Sequence, residues 1–451
     1  MNFQTRLSRA IPGGAHTYSR GADQFPSNAP PILFRGKGAY VWNPKGTKFL
    51  DYGMGLRSVT LGYAHEKVNR AAIKEINRGN SLTRPSITEL NAAETMIGLI
   101  PGAEMVKFAK NGSNVTTAAV KLARAFTGRA LVCVPRQHPF FSFDDWFIGS
   151  TPVKKGIPKS HYQNTLLFDY GKIESLIKLF KKYPGKIAAV MLEPATSLTP
   201  CPAICKNELS FDNACRQCPK RKSNFLFEVQ ALCRAHGSLF ILDEMITGFR
   251  WHLQGAQTFF GVSPDLSLFG KAMANGFSVA ALVGRRKIME LGAINKKEME
   301  RTFLLSSTHG AEMCSLGAFM ETVNVYKNQN VCRYLWKYGK ILKYGLNSIA
   351  ADLNISENFV VEGPAVALNY SIRDSQGKIS LPLRTLFCQE MIKKKILIPW
   401  ISVSTAHGQQ ELDITLSAAE KSLAVLKNAL HKGANKYLQG RSILPVFRKY
   451  N

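Results

Sequence analysis

The sequence predicts an α/β fold with a mostly parallel central sheet, helices on both faces, and a smaller α+β domain. Short apolar runs alternate with amphipathic helical stretches through the middle of the chain, which is the pattern of strand–helix–strand crossovers. The apolar runs are continuous, as expected of parallel strands covered on both faces. The last third lacks this alternation and indicates the smaller α+β domain.

The predicted elements follow one another from residue 105 onward. The strand Met105–Ala109 leads into a helix whose apolar residues Val115, Ala119 and Leu122 share one face, and Gly128 ends that helix. Further along the large domain we expect strands at 131–134, 187–192, 238–242 and 266–269, and helices at 173–180 and 225–235. In the last third we expect a long helix at 316–349, strands at 359–361 and 366–372, and a terminal helix at 417–430.

The length of 451 residues exceeds what one small core needs. We expect residues 1–60 and 321–451 to form the smaller domain, and residues 61–320 to form the large domain with a cysteine-rich insert at about 199–222. No stretch approaches the roughly 18 apolar residues of a membrane span, and the first residues lack the apolar core of a secretory signal. We therefore expect a cytoplasmic protein with no membrane partner.

The charge balance is strongly basic, with 59 Lys and Arg against 31 Asp and Glu, and a formal net charge of +28. The excess is spread in short clusters, without a long basic tail. Such a surface is either a solvated basic face or a binding surface for polyanions, so a non-enzymatic polyanion-binding protein stays open as an alternative. Because no zinc-finger spacing or RNP-like strand is present, nucleic acid is the less favoured partner.

Four of the nine cysteines lie close together in the insert. Cys201, Cys205, Cys215 and Cys218 could place four thiolates around a structural zinc ion or hold an iron–sulfur cluster. The alternative is a loop with four reduced thiols. An odd total in a long chain argues against a disulfide framework and favours a reduced compartment.

Polar residues stand at the ends of several predicted strands, where ligands bind in open α/β sheets. Residues 111–114 open a helix and can bind an anion through free backbone N–H groups. Asp243 could fix a protonated ring nitrogen, and Lys271 lies in an apolar setting that favours a nucleophilic amine. A phosphate cup, a carboxylate for a pyridinium and a Schiff-base lysine together describe a site for pyridoxal phosphate (PLP).

With these motifs the chain resembles the class III, fold-type I PLP-dependent aminotransferases, in the branch near glutamate-1-semialdehyde aminomutase. The segment from Leu242 to Arg250 is similar to the family signature Asp-Glu-Val-x-Thr-Gly-Phe-Arg, and Gly270-Lys271 stands where the Schiff-base lysine is expected. Further similar segments are Lys110-Asn-Gly-Ser-Asn, Met191-Leu-Glu-Pro194 and Ser307-Thr308-His309-Gly310.

The resemblance implies a role for each matching residue. Lys271 would form the Schiff base and move the proton, and Asp243 would keep the pyridine nitrogen protonated. Met245 would lie under the cofactor ring, where the family has Val, and Phe140 would stack on the other face without the hydroxyl of the family's Tyr. Further cofactor contacts implied are Gly112, Ser113, Asn114 and Glu193, with Thr308 reaching the phosphate of a partner subunit in a homodimer.

The segments that would face the substrate differ from those of the aminomutases. The chain has Gly13-Gly-Ala-His-Thr-Tyr-Ser-Arg20 and Gly53-Met-Gly-Leu-Arg-Ser58, which make His16, Tyr18, Arg20 and Arg57 candidate substrate contacts, with plain loop solvation as the alternative. We expect transfer from an amino-acid donor to a keto or aldehyde acceptor. The variant resembles relatives found in sugar and surface-polysaccharide pathways, which implies a sugar derivative as the acceptor. Intramolecular transfer by an aminomutase is the alternative.

Overall fold

The computed structural model describes residues 2–138, 140–201, 209–214 and 224–450. The chain divides into two compact units: a larger one, Glu66–Cys332, and a smaller one, Met1–His65 with Arg333–Asn451. The sequence predicted boundaries at 60/61 and 320/321. The second boundary lies later because the helix Met313–Gln329 belongs to the larger unit, where a Cβ added at Gly317 would lie 3.1 Å from the carbonyl oxygen of Ala71.

A seven-stranded sheet forms the centre of the larger unit. Its strands, in spatial order, are Met105–Ala109, Ala280–Gly284, Leu266–Phe269, Leu239–Asp243, Ile187–Leu192, Leu131–Pro135 and Thr165–Phe168. Ala280–Gly284 pairs antiparallel with both of its neighbours, and the remaining pairs are parallel. The strand Ile187–Leu192 is buried at every position, which accounts for its continuous apolar sequence. The predicted mostly parallel sheet is confirmed.

Helices cover this sheet. The α-helices of the larger unit are Glu66–Ile76, Ile87–Leu99, Gly112–Thr127, Asp145–Ile148, Lys159–Tyr162, Ile173–Lys182, Phe225–Ala235, Ala256–Phe260, Arg286–Met289 and Met313–Gln329. The helix Gly112–Thr127 begins after the cap residue Asn111, whose side chain accepts from the backbone N–H of Asn114, and ends at Gly128 in a left-handed conformation.

The long helix predicted at 316–349 is wrong, because two helices meet there. Met313–Gln329 ends at Asn330, which has a φ of 48°, and Val331–Asp352 begins directly afterwards. Asparagine tolerates the left-handed region better than most residues, so it can end one helix without interrupting the apolar pattern.

The smaller unit contains the helices Phe3–Ala10, Leu381–Lys393 and Gln409–Lys432, and all but the first two residues of the helix Val331–Asp352. Its four-stranded sheet has the order Arg35–Lys37, Tyr40–Trp42, Lys48–Asp51, Ile396–Leu397, and the last pair is parallel. A two-stranded sheet pairs Phe359–Glu362 with Asn369–Ile372.

Two predictions for the smaller unit need correction. The strand expected at 366–372 begins only at Asn369, because the preceding residues form a turn in which Ala367 N donates to the Pro364 carbonyl oxygen. The helix expected at 417–430 begins earlier, at Gln409, because the Glu411 side chain accepts from Gly408 N and caps that turn. Within the described parts of the chain, no helix has both the length and the apolar character needed to cross a membrane.

Candidate active site

The polar residues singled out by the sequence lie along one edge of the seven-stranded sheet. Met105–Ala109, Ile187–Leu192, Leu239–Asp243 and Leu266–Phe269 run in the same direction, because a single antiparallel strand separates the first from the others. Their carboxyl ends therefore bring the start of the helix Gly112–Thr127, Glu193, Asp243 and Lys271 to the same edge.

Asp243 is buried at the end of its strand. Its Oδ1 accepts from the backbone N–H of Met245 at 2.9 Å. Burial raises the pKa of Asp243 to about 6, although the positive charge of Lys271 and the Met245 hydrogen bond act in the opposite direction. A cationic N–H placed beside this carboxylate would replace the water that it has lost and favour its charged form.

Lys271 begins a short 3₁₀ turn, Lys271–Ala274, one residue after the strand Leu266–Phe269. Its φ of 46° is left-handed, a conformation that costs a non-glycine residue energy and that recurs at functional sites. The Coulombic effect of Lys271 on Asp243 places these two side chains in one electrostatic environment.

Met245 packs between two glycines of the site. A Cβ added at Gly112 would lie 3.0 Å from the Met245 Sδ, and one added at Gly270 would lie 2.6 Å from the same atom. The Met245 side chain is buried. The thioether therefore fills the space between Gly112 and Gly270 and leaves no room for a side chain at either position.

The helix start presents donors suited to an anion. Asn114 N is used by the Asn111 cap. Ser113 is buried, and its Oγ accepts from Phe143 N at 3.0 Å, which leaves the hydroxyl proton available for an acceptor. The N-terminus of a 16-residue helix adds a positive dipole end at the same place.

His138 and Tyr170 are residues that the sequence analysis missed. The buried His138 Nδ1 accepts from Glu193 N at 3.1 Å, and Tyr170 donates its phenolic proton to the Pro194 carbonyl oxygen at 2.7 Å. Burial lowers the pKa of His138 to about 3, so the ring is neutral and its proton resides on Nε2. Together they fix the strand end that carries Glu193. The one available signal was a histidine two residues before Phe140.

Phe140 and Phe141 have different environments. Phe141 is buried in the core of the larger unit, whereas 46% of Phe140 is exposed, with its ring edge-on to Phe147 at 6.1 Å. Core packing therefore accounts for Phe141, whereas nearly half of Phe140 is exposed. Its stacking role stays a prediction.

Thr308 lies in an exposed turn of the segment before the helix Met313–Gln329. This segment is tied to the site by Glu312, which forms an ion pair with Lys110 and accepts from Asn80 Nδ2 at 2.8 Å. The Lys110 hydrogen bond lowers the pKa of Glu312. The exposure of Thr308 is compatible with a contact to a partner subunit, which stays a prediction.

The remaining candidates are placed elsewhere or outside the described residues. His16, Tyr18, Arg20 and Arg57 belong to the smaller unit, and all but Arg57 lie in its N-terminal segment of short turns. Cys201 is buried, but Cys205, Cys215 and Cys218 lie outside the described residues. Over the part of the chain that is described, no group of three or more His, Cys, Asp or Glu could hold a metal ion, so the structural zinc gains no support.

The residues at this edge fit PLP. The buried Asp243 carboxylate matches a protonated ring nitrogen, and the Ser113 hydroxyl and helix start match a phosphate. Met245 with its two flanking glycines forms a narrow floor that an added Cβ would fill. Lys271 supplies the amine in the same electrostatic environment.

Comparisons with known proteins agree with this fit. The sequence profile of the family described as Aminotransferase class-III matches residues 22–198 and 219–378. The chain belongs to the class-III aminotransferase family. This confirms the predicted resemblance, the fold class and the predicted enzyme class, a PLP-dependent transaminase.

Individual relatives are distant but match over nearly the whole length. The chain is 26% identical over 438 residues to the glutamate-1-semialdehyde 2,1-aminomutase of Alkaliphilus metalliredigens (strain QYMF), covering 93% of this chain and 94% of that protein. It is 26% identical over 435 residues to the 3-aminobutyryl-CoA aminotransferase of Cloacimonas acidaminovorans (strain Evry), covering 95% of this chain and 98% of that protein. Among solved structures, the FumI protein of Sphingopyxis sp. MTA144 in its PLP internal aldimine form superimposes with a TM-score of 0.82 at 24% identity, covering 95% and 96%.

Proposed function

We propose that the protein is a PLP-dependent aminotransferase that moves an amino group from an amino-acid donor to a keto or aldehyde acceptor. The observation that carries this proposal is the convergence of Asp243, Lys271 and the helix start at 112–114 on one sheet edge. Membership of the class-III aminotransferase family supports it.

Each of these residues has a defined task. When bound, PLP supplies an aldehyde that takes up the amino group and a ring that accepts electrons from the substrate carbon. The Asp243 carboxylate pairs with the ring nitrogen and keeps that nitrogen protonated. Because the carboxylate is buried, water does not compete for it. Lys271 Nζ removes the proton from the substrate carbon and returns it at the other end of the transfer. Ser113 and the backbone N–H groups of the helix start bind the phosphate.

The finer parts of the proposal concern acceptor and assembly. A sugar derivative is the acceptor class that we favour, with His16, Tyr18, Arg20 and Arg57 as candidate contacts. We further propose a homodimer in which Thr308 reaches the partner's cofactor, and a cytoplasmic location. The exposure of Thr308 supports the homodimer, and the odd number of cysteines supports the cytoplasmic location.

An aminomutase is the second candidate function. Several of the matched relatives carry the name glutamate-1-semialdehyde 2,1-aminomutase, which favours intramolecular transfer. The two functions share the cofactor machinery and differ in whether a second substrate is required.

The absorption spectrum tests the cofactor chemistry. The purified enzyme reconstituted with PLP should show a visible absorption band, and an amino-acid donor should bleach it in a single half-reaction. Lys271→Ala should abolish the normal band, whereas Lys155→Ala, at an exposed lysine of the same unit, should leave it unchanged. A wild-type enzyme that cannot be reconstituted would contradict the proposal.

Dependence on an acceptor separates the two candidates. A transaminase bleached by its donor recovers the band only when a carbonyl acceptor is added. An aminomutase rearranges glutamate-1-semialdehyde in full without a second substrate. Turnover of that compound alone, at a rate that no added acceptor increases, would establish the aminomutase.

A further inference from the structure

An ion pair joins the phosphate end of the candidate site to the segment before the helix Met313–Gln329. Lys110 stands immediately before Asn111, whose side chain caps the helix that begins at Gly112. The Lys110 ammonium group pairs with the Glu312 carboxylate. Only 24% of the Lys110 side chain and 25% of the Glu312 side chain are exposed, so water and salt screen this pair less than a pair on the open surface.

Asn80 holds the other side of this carboxylate. Its Nδ2 donates to Glu312 Oε1 at 2.8 Å, while Lys110 occupies Oε2. Its Oδ1 accepts from Cys314 N at 2.9 Å, and its carbonyl oxygen accepts from Met313 N at 2.9 Å. The first N–H groups of a helix have no partner within the helix, and the Glu312 side chain does not cap this one. Asn80 therefore fixes both the carboxylate and the helix start beside it.

The conformation of Asn80 suits this contact. Its φ is 52°, in the left-handed region that asparagine tolerates better than most residues. Its own N–H donates to the Glu75 carbonyl oxygen at 3.2 Å, which anchors the residue to the helix Glu66–Ile76. The hydrogen bond to Glu312 thus starts from a fixed point of the larger unit.

The backbone around Lys110 is held at two further points. The Lys110 carbonyl oxygen accepts from Ser278 Oγ at 2.7 Å. The turn 307–310 lies close by, since a Cβ added at Gly310 would lie 3.6 Å from the Phe108 carbonyl oxygen. The ion pair therefore connects two backbone segments that already lie close together, and it fixes the residue from which the phosphate-binding helix start continues.

We propose that Glu312, Lys110 and Asn80 are positioning residues for the phosphate of PLP. They contact one another and the backbone next to the site, and they act on the phosphate through Ser113 and the helix start. This inference rests on the proposed function and adds the residues that hold its phosphate-binding segment in place.

A comparison of PLP with pyridoxal, which lacks the phosphate, tests this role. Glu312→Gln keeps the size of the side chain and an acceptor for Asn80 but removes the charge that holds Lys110. The dissociation constant of PLP, measured from the absorption band, should rise roughly 5- to 50-fold. The dissociation constant of pyridoxal should stay unchanged. The control Glu94→Gln removes an exposed carboxylate of the same unit and should change neither.

A double-mutant cycle identifies the ion pair as the cause. Lys110→Met breaks the same pair and should weaken PLP binding to a similar extent, and the double variant should lose little more than either single variant. Calorimetric titration of the cofactor-free proteins with inorganic phosphate should give the same order of affinities. Additive losses would show that Lys110 attracts the phosphate directly, which would overturn its assignment as a positioning residue.

Asn80→Asp tests the third residue. The aspartate keeps an acceptor for Cys314 N but places a second carboxylate beside Glu312 where the amide donated. It should produce the same selective loss of PLP affinity. Urea unfolding of the cofactor-free proteins shows which variants fold, and if Glu312→Gln does not, the comparison of PLP with pyridoxal in Lys110→Met and Asn80→Asp decides.

The outcomes separate this inference from the proposed function. If the donor bleaches the wild-type band but Glu312→Gln weakens PLP and pyridoxal equally, the positioning role is contradicted while the transaminase stands. The same conclusion follows if Glu312→Gln binds PLP as tightly as wild type or more tightly. If the wild-type enzyme cannot be reconstituted with PLP, the proposed function itself fails.

Discussion

Met245 connects the two sides of the candidate site through a single sulfur atom. Its Sδ lies where a side chain at Gly112 or Gly270 would project. Gly270 has a φ of −179°, which any residue can adopt, so only the contact with Met245 requires glycine there. The valine that the family has at this position is shorter than methionine and would leave space beside the two glycines.

We therefore expect Gly270→Ala to weaken PLP binding by roughly 5- to 150-fold, because overpacking of this size costs about 1–3 kcal/mol. The measurement is the dissociation constant of PLP from the absorption band. Met245→Val introduced into Gly270→Ala should restore most of the affinity. Equal affinities of the single and double variants would show that the steric contact is not the cause.

Glu244, the neighbour of Asp243, is fully buried and makes no contact proposed for the cofactor. Its carboxylate accepts from Thr247 Oγ1, from Ala256 N at 3.0 Å and from Gln257 N at 2.7 Å. Burial raises the pKa of Glu244 to about 7, against the lowering effect of these hydrogen bonds. The folded state therefore keeps a proton that the unfolded chain has released above its ordinary pKa of 4.5.

This difference sets the sign of a pH effect. Because the folded protein binds the extra proton, the contribution of Glu244 to the free energy of unfolding falls as pH rises from about 4.5 to 7. Glu244→Gln cannot titrate, so urea unfolding of the cofactor-free variant should lose less stability over this window, by on the order of 3 kcal/mol. The variant is also less stable at pH 5, because an amide cannot accept all three hydrogen bonds. Parallel pH profiles for the two proteins would contradict the assignment.

The helix Gly112–Thr127 begins at the sheet edge, where its N-terminus is proposed to bind the cofactor phosphate. At its other end, the helix stops at Gly128. Gly128 has a φ of 66°, its N–H donates to the Arg124 carbonyl oxygen at 2.9 Å, and an added Cβ would meet nothing within 4 Å. Backbone strain alone therefore decides the effect of a substitution there.

Two glycine substitutions should change stability in opposite directions. Gly128→Ala should lower the free energy of unfolding by about 1 kcal/mol, because alanine is strained at positive φ. Gly98→Ala, at an exposed position inside the helix Ile87–Leu99 with open space around it, should raise it by about 0.5–1 kcal/mol. Urea unfolding of the two variants beside wild type provides the measurement. If both substitutions raise, or both lower, the free energy of unfolding, the explanation by backbone conformation is wrong.

Continuous apolar runs made five strands of the large sheet predictable, because parallel strands buried on both faces leave that pattern. Thr165–Phe168 and Ala280–Gly284 were missed, although neither is shorter than the predicted strand Leu266–Phe269. The break at Asn330 was missed because the apolar pattern continues through it.

The site was predictable to the extent that its residues follow strands directly. Asp243 ends its strand and Lys271 follows the neighbouring strand after one glycine, and the parallel pairing of these two strands brings both residues to the same sheet edge. His138 contributes through a hydrogen bond to the backbone of Glu193, which no sequence pattern encodes.

At the level of the whole molecule, the net charge of +28 is far larger than the charge of the cofactor phosphate that the site would bind. Most of the excess repels itself across the surface. The melting temperature should therefore rise as KCl increases from about 20 to about 300 mM, because the Debye length shortens from roughly 20 Å to roughly 6 Å. Differential scanning fluorimetry measures this shift. A flat or falling melting temperature would mean that ion pairs balance the surface charge.

The central claim is that this chain uses Lys271 to bind PLP covalently at the carboxyl edge of its sheet. Borohydride reduction of the PLP-loaded enzyme, followed by proteolysis and mass spectrometry, tests it most directly. The account predicts one peptide with a stable phosphopyridoxyl group, attached at Lys271. Attachment predominantly at another lysine, or no attachment in an enzyme that nevertheless transfers amino groups, would contradict it.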